Sequence, residues 1–277
     1  MKREPVVAGS FYPASRKALI ELIEACFMSE IGPGELPKKP DRPLEKNVAL
    51  IVPHAGYVYS GPVAAHAYAE LAKLGNPKLV VLLGPNHTGY GARIGVWAEG
   101  SWSTPLGEVQ VCEEAAQKLL KECKESSADI RCHIAEHSLE VQLPFLQYIF
   151  KDFEILPITM FPASLQICKS LAHALDELLK NFSSTVLVVS SDFNHYEDYA
   201  TTKWKDQLAI EEILKRDAEG LYRMVADHRI TMCGLSPVAC LLYMQSFSKP
   251  KLLKHATSGD TSHDRSHVVG YASFIFE

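Results

Sequence analysis

Three of the chain's eleven histidines share one local setting. His54 follows the apolar run Val48-Ala-Leu-Ile-Val52, His87 follows Leu79-Val-Val-Leu-Leu83, and His195 follows Thr185-Val-Leu-Val-Val189. Each run reads as a buried strand that ends in a short polar turn. In open α/β sheets, ligands bind in the crevice outside the carboxyl ends of the strands. Three imidazoles from distant turns can therefore meet in one place. An imidazole ligates transition metals and exchanges protons near neutral pH. A lone loop histidine is usually a surface residue or a satisfied hydrogen-bonder, but three at equivalent strand ends point to a shared site.

Other residues around these turns can take part. Asp192, three residues before His195, can ligate a cation, hold a histidine tautomer, or cap the segment that follows it. Cys233 lies in Thr231-Met-Cys-Gly-Leu-Ser-Pro237, where Ser236 can cap a helix and Pro237 fits its first turn. A thiol beside a helix N-terminus gives up its proton more easily, as a nucleophile or soft metal ligand. The alternative is a small residue in a tight turn. Glu136 and His137 stand where a helix capped by Ser138 would open, either as an acid/base pair or as ordinary surface groups. His66, His133, His173, His228 and His255 have no readable partner. His263 sits in a loop, 258–266, and His267 directly follows it, without ligand spacing.

These side chains need a scaffold. Near-continuous Val/Leu/Ile runs alternating with helices predict an α/β fold, with a central, largely parallel sheet covered by helices on both faces. Helices are expected from Ser15 to about Met28 and near 61–73, 113–124, 138–150, 164–180, 201–215, 217–227 and 237–247. A further strand is read at Glu154-Ile-Leu-Pro-Ile158, and two more at 251–257 and 268–276. A hairpin is expected from Arg93–Trp97 to Glu108–Val111. Residues 29–46, rich in Pro, Gly and charge, read as a loop. The segment before that loop is too short to hold its own core, so residues 1–277 read as one domain.

Composition narrows the class. A hydrophobic fraction of 47% over 277 residues supports a substantial core. Against 33 acidic residues stand 28 basic ones, without a long basic run, which excludes a nucleic-acid footprint. The opening residues lack the apolar core of a secretory signal, and nothing approaches the roughly 20 apolar residues that span a bilayer. A soluble, cytoplasmic protein is expected. Its seven cysteines form no CxxC pair and read as thiols in a reducing compartment. Neither GxGxxG nor GxxxxGK[ST] provides a phosphate cradle, and there is no GxSxG elbow.

The motifs Gly9-Ser-Phe-Tyr-Pro13, Pro53-His-Ala-Gly-Tyr57, Gly84-Pro-Asn-His87, Glu136-His-Ser-Leu-Glu140, Ser191-Asp-Phe-Asn-His195 and Met232-Cys-Gly234 resemble the Memo family, whose bacterial and archaeal members are often called AmmeMemoRadiSam system protein B. The match runs in order from the first strand to the last. The resemblance implies a fold similar to class III extradiol dioxygenases, which use non-haem iron. It implies His54, His87 and Cys233 as metal ligands, His195 as acid/base, and Asp192 in the same pocket, which Glu136, His137, Tyr57 and Asn86 would also line. The third dioxygenase ligand is a carboxylate. A thiolate there shifts preference toward softer metals.

The expected function is a metal-dependent redox protein that uses Fe(II), with copper as the alternative and zinc as a third metal. It would act on a small molecule or dioxygen. The competing readings are a metal-assisted hydrolase and a non-catalytic adaptor that binds phosphotyrosine-type peptides. The family name implies a radical-SAM protein as a functional partner.

Overall fold

Successive residues of the apolar runs face two separate cores. Val48, Leu50, Val52, Val80, Leu82, Val186 and Val188 pack into one. Ala49, Ile51, Leu79, Val81, Leu83, Leu187 and Val189 pack into the other. A strand covered on both faces has no polar side, which explains why these runs show no alternation in the sequence.

The computed structural model describes residues 1–277. As far as residue 150 the elements are β1 (Lys2–Arg3), α1 (Arg16–Met28), β2 (Val48–Val52), α2 (Tyr57–Leu74), β3 (Leu79–Pro85), β4 (Ile94–Val96), β5 (Ser101–Thr104), β6 (Gly107–Gln110), α3 (Glu113–Glu122), β7 (Ser126–Ala128) and α4 (Leu143–Ile149). Then come β8 (Glu154–Met160), α5 (Leu165–Leu179), β9 (Thr185–Ser190), β10 (His195–Glu197), α6 (Tyr199–Lys215), α7 (Ala218–Asp227), α8 (Leu235–Tyr243), β11 (Pro250–Thr257), α9 (Ser258–Ser262) and β12 (Val268–Phe276). Helices α1, α2 and α4 cover one face of the main sheet. Helices α3, α5, α6, α7 and α8 cover the other.

The main sheet has nine strands in the order β10-β12-β2-β9-β3-β8-β4-β7, with β11 paired to β12. Its centre, β2-β9-β3-β8, is parallel throughout. Antiparallel pairings appear where β12 meets β2 and where β4 meets β8. Late in sequence, β9 inserts between β2 and β3, so the turns bearing His54, Asp192 and His87 become spatial neighbours.

Several local expectations are corrected. The segment 93–97 does not form a hairpin with 108–111. Strand β4 pairs with β8 and β7, while β6 pairs with β5. The intervening Ser101–Thr104 supplies a nearer partner, which a two-strand reading overlooked. Ser138 does not cap a helix. Its hydroxyl donates to Pro85 C=O at 2.9 Å, and α4 starts later, after a 3₁₀ turn over Glu140–Gln142. Nor does Ser236 cap α8, which begins at Leu235. Its oxygen accepts from Ala163 N at 2.9 Å instead. Ser15 does cap α1, accepting from Ala18 N at 3.3 Å.

Candidate metal centre

The ligand atoms of His54, His87 and His137 all lie within 4.8 Å of one another. His54 is buried, His137 is intermediate and His87 is exposed, so the cluster opens to solvent on the His87 side. His87 and His137 stack with ring centroids 4.9 Å apart, and His54 meets both edge-on. Three imidazoles converging on one point could hold a metal ion.

Each member of the group is held from behind. The Nδ1 of His54 lies 2.6 Å from Ser190 Oγ, at the end of β9. The Nδ1 of His87 lies 2.9 Å from Glu136 Oε1. Glu136 also accepts from the backbone N–H groups of His137 and Ser138, both at 2.9 Å. Burial alone would push Glu136 up, but the His87 hydrogen bond, the histidine charges and the Ser138 N–H bring it down to about 2. It is therefore a carboxylate at neutral pH. Burial lowers His54 well below its ordinary value, and positive charge on His137, His87 and His195 adds to the effect. Burial also lowers His137.

Cys233 reaches the cluster from another direction. Its Sγ lies 3.2 Å from His54 Nε2 and accepts from Asp192 N at 3.3 Å. Gly234 permits this approach, because a Cβ there would collide with the Ser191 side chain and the Ser190 carbonyl. The expectation of an easily ionised thiol is corrected. Burial, followed by the nearby Asp192 carboxylate, pushes the Cys233 thiol up, and the N–H groups of the turn do not compensate. Asp192 does not cap the segment after it. Its Oδ1 accepts from His54 N at 2.8 Å, and its Oδ2 lies 4.0 Å from His54 Nε2. Burial raises this carboxyl to about 7.

His195 is half-buried, and burial lowers it. Its backbone N–H donates to Thr231 Oγ1 at 2.7 Å, which ties β10 to the Cys233 turn. Tyr57 points away from the imidazoles into the core, where its hydroxyl donates to Val141 C=O at 2.6 Å. Asn86 shapes the loop around His87, accepting from Thr88 N and donating to Tyr90 C=O. A cavity of about 230 Å³ opens beside Cys233, lined by residues that include Met160, Ala163, Tyr222, Met232 and Leu235. Larger hollows elsewhere do not touch His54, His87 or His137.

Sequence reasoning missed the residues that anchor the cluster. Glu140 is sealed from solvent and accepts from Arg3, from Tyr12 Oη and from the N–H groups of Val6 and Val7. Arg3 also donates to the carbonyls of His133 and Glu136. Phe11 packs on His137 with centroids 4.8 Å apart. The Gly9–Pro13 and Glu136–Glu140 motifs are thus two halves of one contact. A glutamate inside an apolar helical pattern was the available signal. Likewise His255 has a partner, Asp206 at 2.8 Å, and His133 packs against Trp97 and Trp102.

An α/β sheet with a metal-capable histidine cluster at its strand ends defines the class of protein. The model of the family described as Memo-like protein matches residues 3–275. A MEMO1 family protein of Thermotoga neapolitana is 51% identical over 276 residues, covering 99% of each chain. One from Sulfolobus acidocaldarius is 46% identical, covering 100% of this chain and 99% of that one. This chain therefore belongs to the Memo family. The solved structure of an uncharacterized Escherichia coli K12 protein, JW3007, shares the fold with a TM-score of 0.58 at 13% identity, covering 83% of this chain and 99% of that one. No helix is long and apolar enough to cross a membrane.

Proposed function

We propose that this chain is a metal-dependent oxidoreductase that holds Fe(II), or alternatively copper, through His54, His87 and Cys233. The observation that carries this reading is the 3.2 Å approach of Cys233 Sγ to His54 Nε2, beside the cluster that His54 forms with His87 and His137. A sulfur joined to imidazoles suits iron and copper better than hard cations. A bound metal of this kind supplies one-electron chemistry and an open position for dioxygen or a small substrate.

The chain's own residues do the rest. Glu136 and Ser190 orient two of the imidazoles. Asp192 fixes the His54 turn by accepting from its backbone N–H, with its other oxygen 4.0 Å from His54 Nε2. His195, whose Nδ1 has no hydrogen-bond partner, takes or returns a proton at the substrate. The cavity beside Cys233 receives the apolar part of that substrate, because its Tyr222 and Ser236 hydroxyls already bond each other at 2.8 Å. All seven cysteines are free, which fits work in the reducing cytoplasm. By family analogy, a radical-SAM protein is its functional partner.

The test is elemental mass spectrometry of untagged protein purified anaerobically, alongside His54→Ala and His87→Ala. Near-stoichiometric iron or copper, lost in both variants while far-UV circular dichroism stays close to wild type, is the expected result. Zinc in its place turns the reading to metal-assisted hydrolysis. No metal after reconstitution favours a peptide-binding adaptor. Unchanged metal content in both variants overturns the ligand assignment.

A further inference from the structure

Behind His54 runs a chain of buried polar groups with no charged member. The Tyr68 hydroxyl donates to Gln142 Oε1 at 2.7 Å. That bond fixes the amide, so Gln142 Nε2 faces Pro53 C=O at 3.0 Å and Ser190 Oγ at 3.2 Å. Ser190 in turn donates to Ser138 C=O at 2.8 Å and meets His54 Nδ1 at 2.6 Å. Tyr68, Ser138, Gln142 and Ser190 are each no more than 1% exposed, so water does not substitute for any partner.

Distance and the donor count together set the direction of the last bond. Ser138 C=O only accepts, and it lies 2.8 Å from the Ser190 hydroxyl but 3.3 Å from Gln142 Nε2. The two hydrogens of Gln142 Nε2 have nearer acceptors in Pro53 C=O and Ser190 Oγ, so Ser138 C=O takes the single Ser190 proton. Towards His54, Ser190 is then an acceptor. Nδ1 must carry the ring hydrogen, and the Nε2 lone pair must face the cluster. His87 reaches the same tautomer by another route, since the Glu136 carboxylate also only accepts.

The geometry points to Ser190, Gln142 and Tyr68 as positioning residues that hold His54 in its Nδ1–H tautomer and present Nε2 to the site. The two imidazoles are consequently unequal. His87 is backed by a carboxylate, whereas His54 is backed by a neutral relay ending at Tyr68. Partners of metal-bound histidines typically contribute about 10- to 100-fold in affinity. The tautomer claim stands on hydrogen bonding alone, and its effect on affinity rests on the metal reading of the site.

The experiment has two arms. In metal-free protein, long-range ¹H–¹⁵N correlation spectra report which ring nitrogen of His54 is protonated. Wild type should show Nδ1–H alone, Ser190→Ala a mixture of tautomers, and Ser190→Thr, which restores a hydroxyl, the wild-type pattern. In the second arm, cobalt(II) chloride titrations followed by visible absorption should show binding about 10- to 100-fold weaker in Ser190→Ala. Tyr68→Phe should show a smaller loss and guards against a Ser190→Ala variant that does not fold. Nε2–H in wild type overturns the proposal. So does a Ser190→Ala protein that keeps a pure Nδ1–H tautomer. Wild type that binds no cobalt sinks the metal reading, while the tautomer spectra still decide the relay.

Discussion

The guanidinium of Arg3 lies 2.7 Å from the carboxylate of Glu140, and neither side chain is more than 2% exposed. These residues are 137 positions apart, and their contact ties the first strand to the segment that carries Glu136 and His137. Removing one member of a buried pair leaves the other charge unmatched, which costs about 3–5 kcal/mol. Arg3→Met should destabilise the protein by about that amount in urea unfolding, and should weaken cobalt binding because Glu136 loses its support. A change below about 1 kcal/mol would mean that the Tyr12 and backbone donors suffice for Glu140.

The Cys233 thiol is pushed up by burial and by Asp192, so it keeps its proton across the neutral range. A metal bound as thiolate must displace that proton. Apparent cobalt affinity should therefore rise about tenfold per pH unit between pH 6 and 8. Calorimetry in two buffers of different ionisation enthalpy should count close to one proton released from this thiol. Cys233→Ser should remove that release. If the serine variant releases as many protons as wild type, the third ligand is His137 and not Cys233.

Acidification acts on the metal-free fold with opposing signs. Burial lowers His54, His137 and His195, and lowers His133 to about 3. These imidazoles stay neutral in the fold but gain protons when unfolded, so stability is lost as pH falls below about 6.5. The loss is roughly 1 kcal/mol at pH 5.5 for each fully buried ring. Asp192, raised to about 7, works the other way and gains stability as pH falls through that value. Its share between pH 7.5 and 5.5 is about 2 kcal/mol. The histidines outnumber it, so Tm should drop modestly in wild type and more steeply in Asp192→Asn. Parallel Tm curves for the two proteins would show that Asp192 titrates normally.

Much of the fold was legible because its signals are local. The runs at Val48, Leu79 and Thr185 declare buried strands, Ser15 declares a helix start, and a polar turn after a strand places a histidine at the rim. The hairpin and the Ser138 and Ser236 caps failed because a local partner was assumed where a distant one was available. Those hydroxyls serve Pro85 and Ala163 instead.

By itself, then, the sequence determined which residues could form strands and that His54, His87 and His195 would emerge at their carboxyl ends. Only the tertiary structure decided that β9 lies between β2 and β3. That strand order puts Ser190 behind His54, admits Cys233 over Gly234, and lets Arg3 hold Glu140. The physical reason is that backbone propensity and apolar periodicity act over a few residues. The choice of hydrogen-bond partner is made by whatever the closed sheet brings within 3 Å, often from more than a hundred residues away.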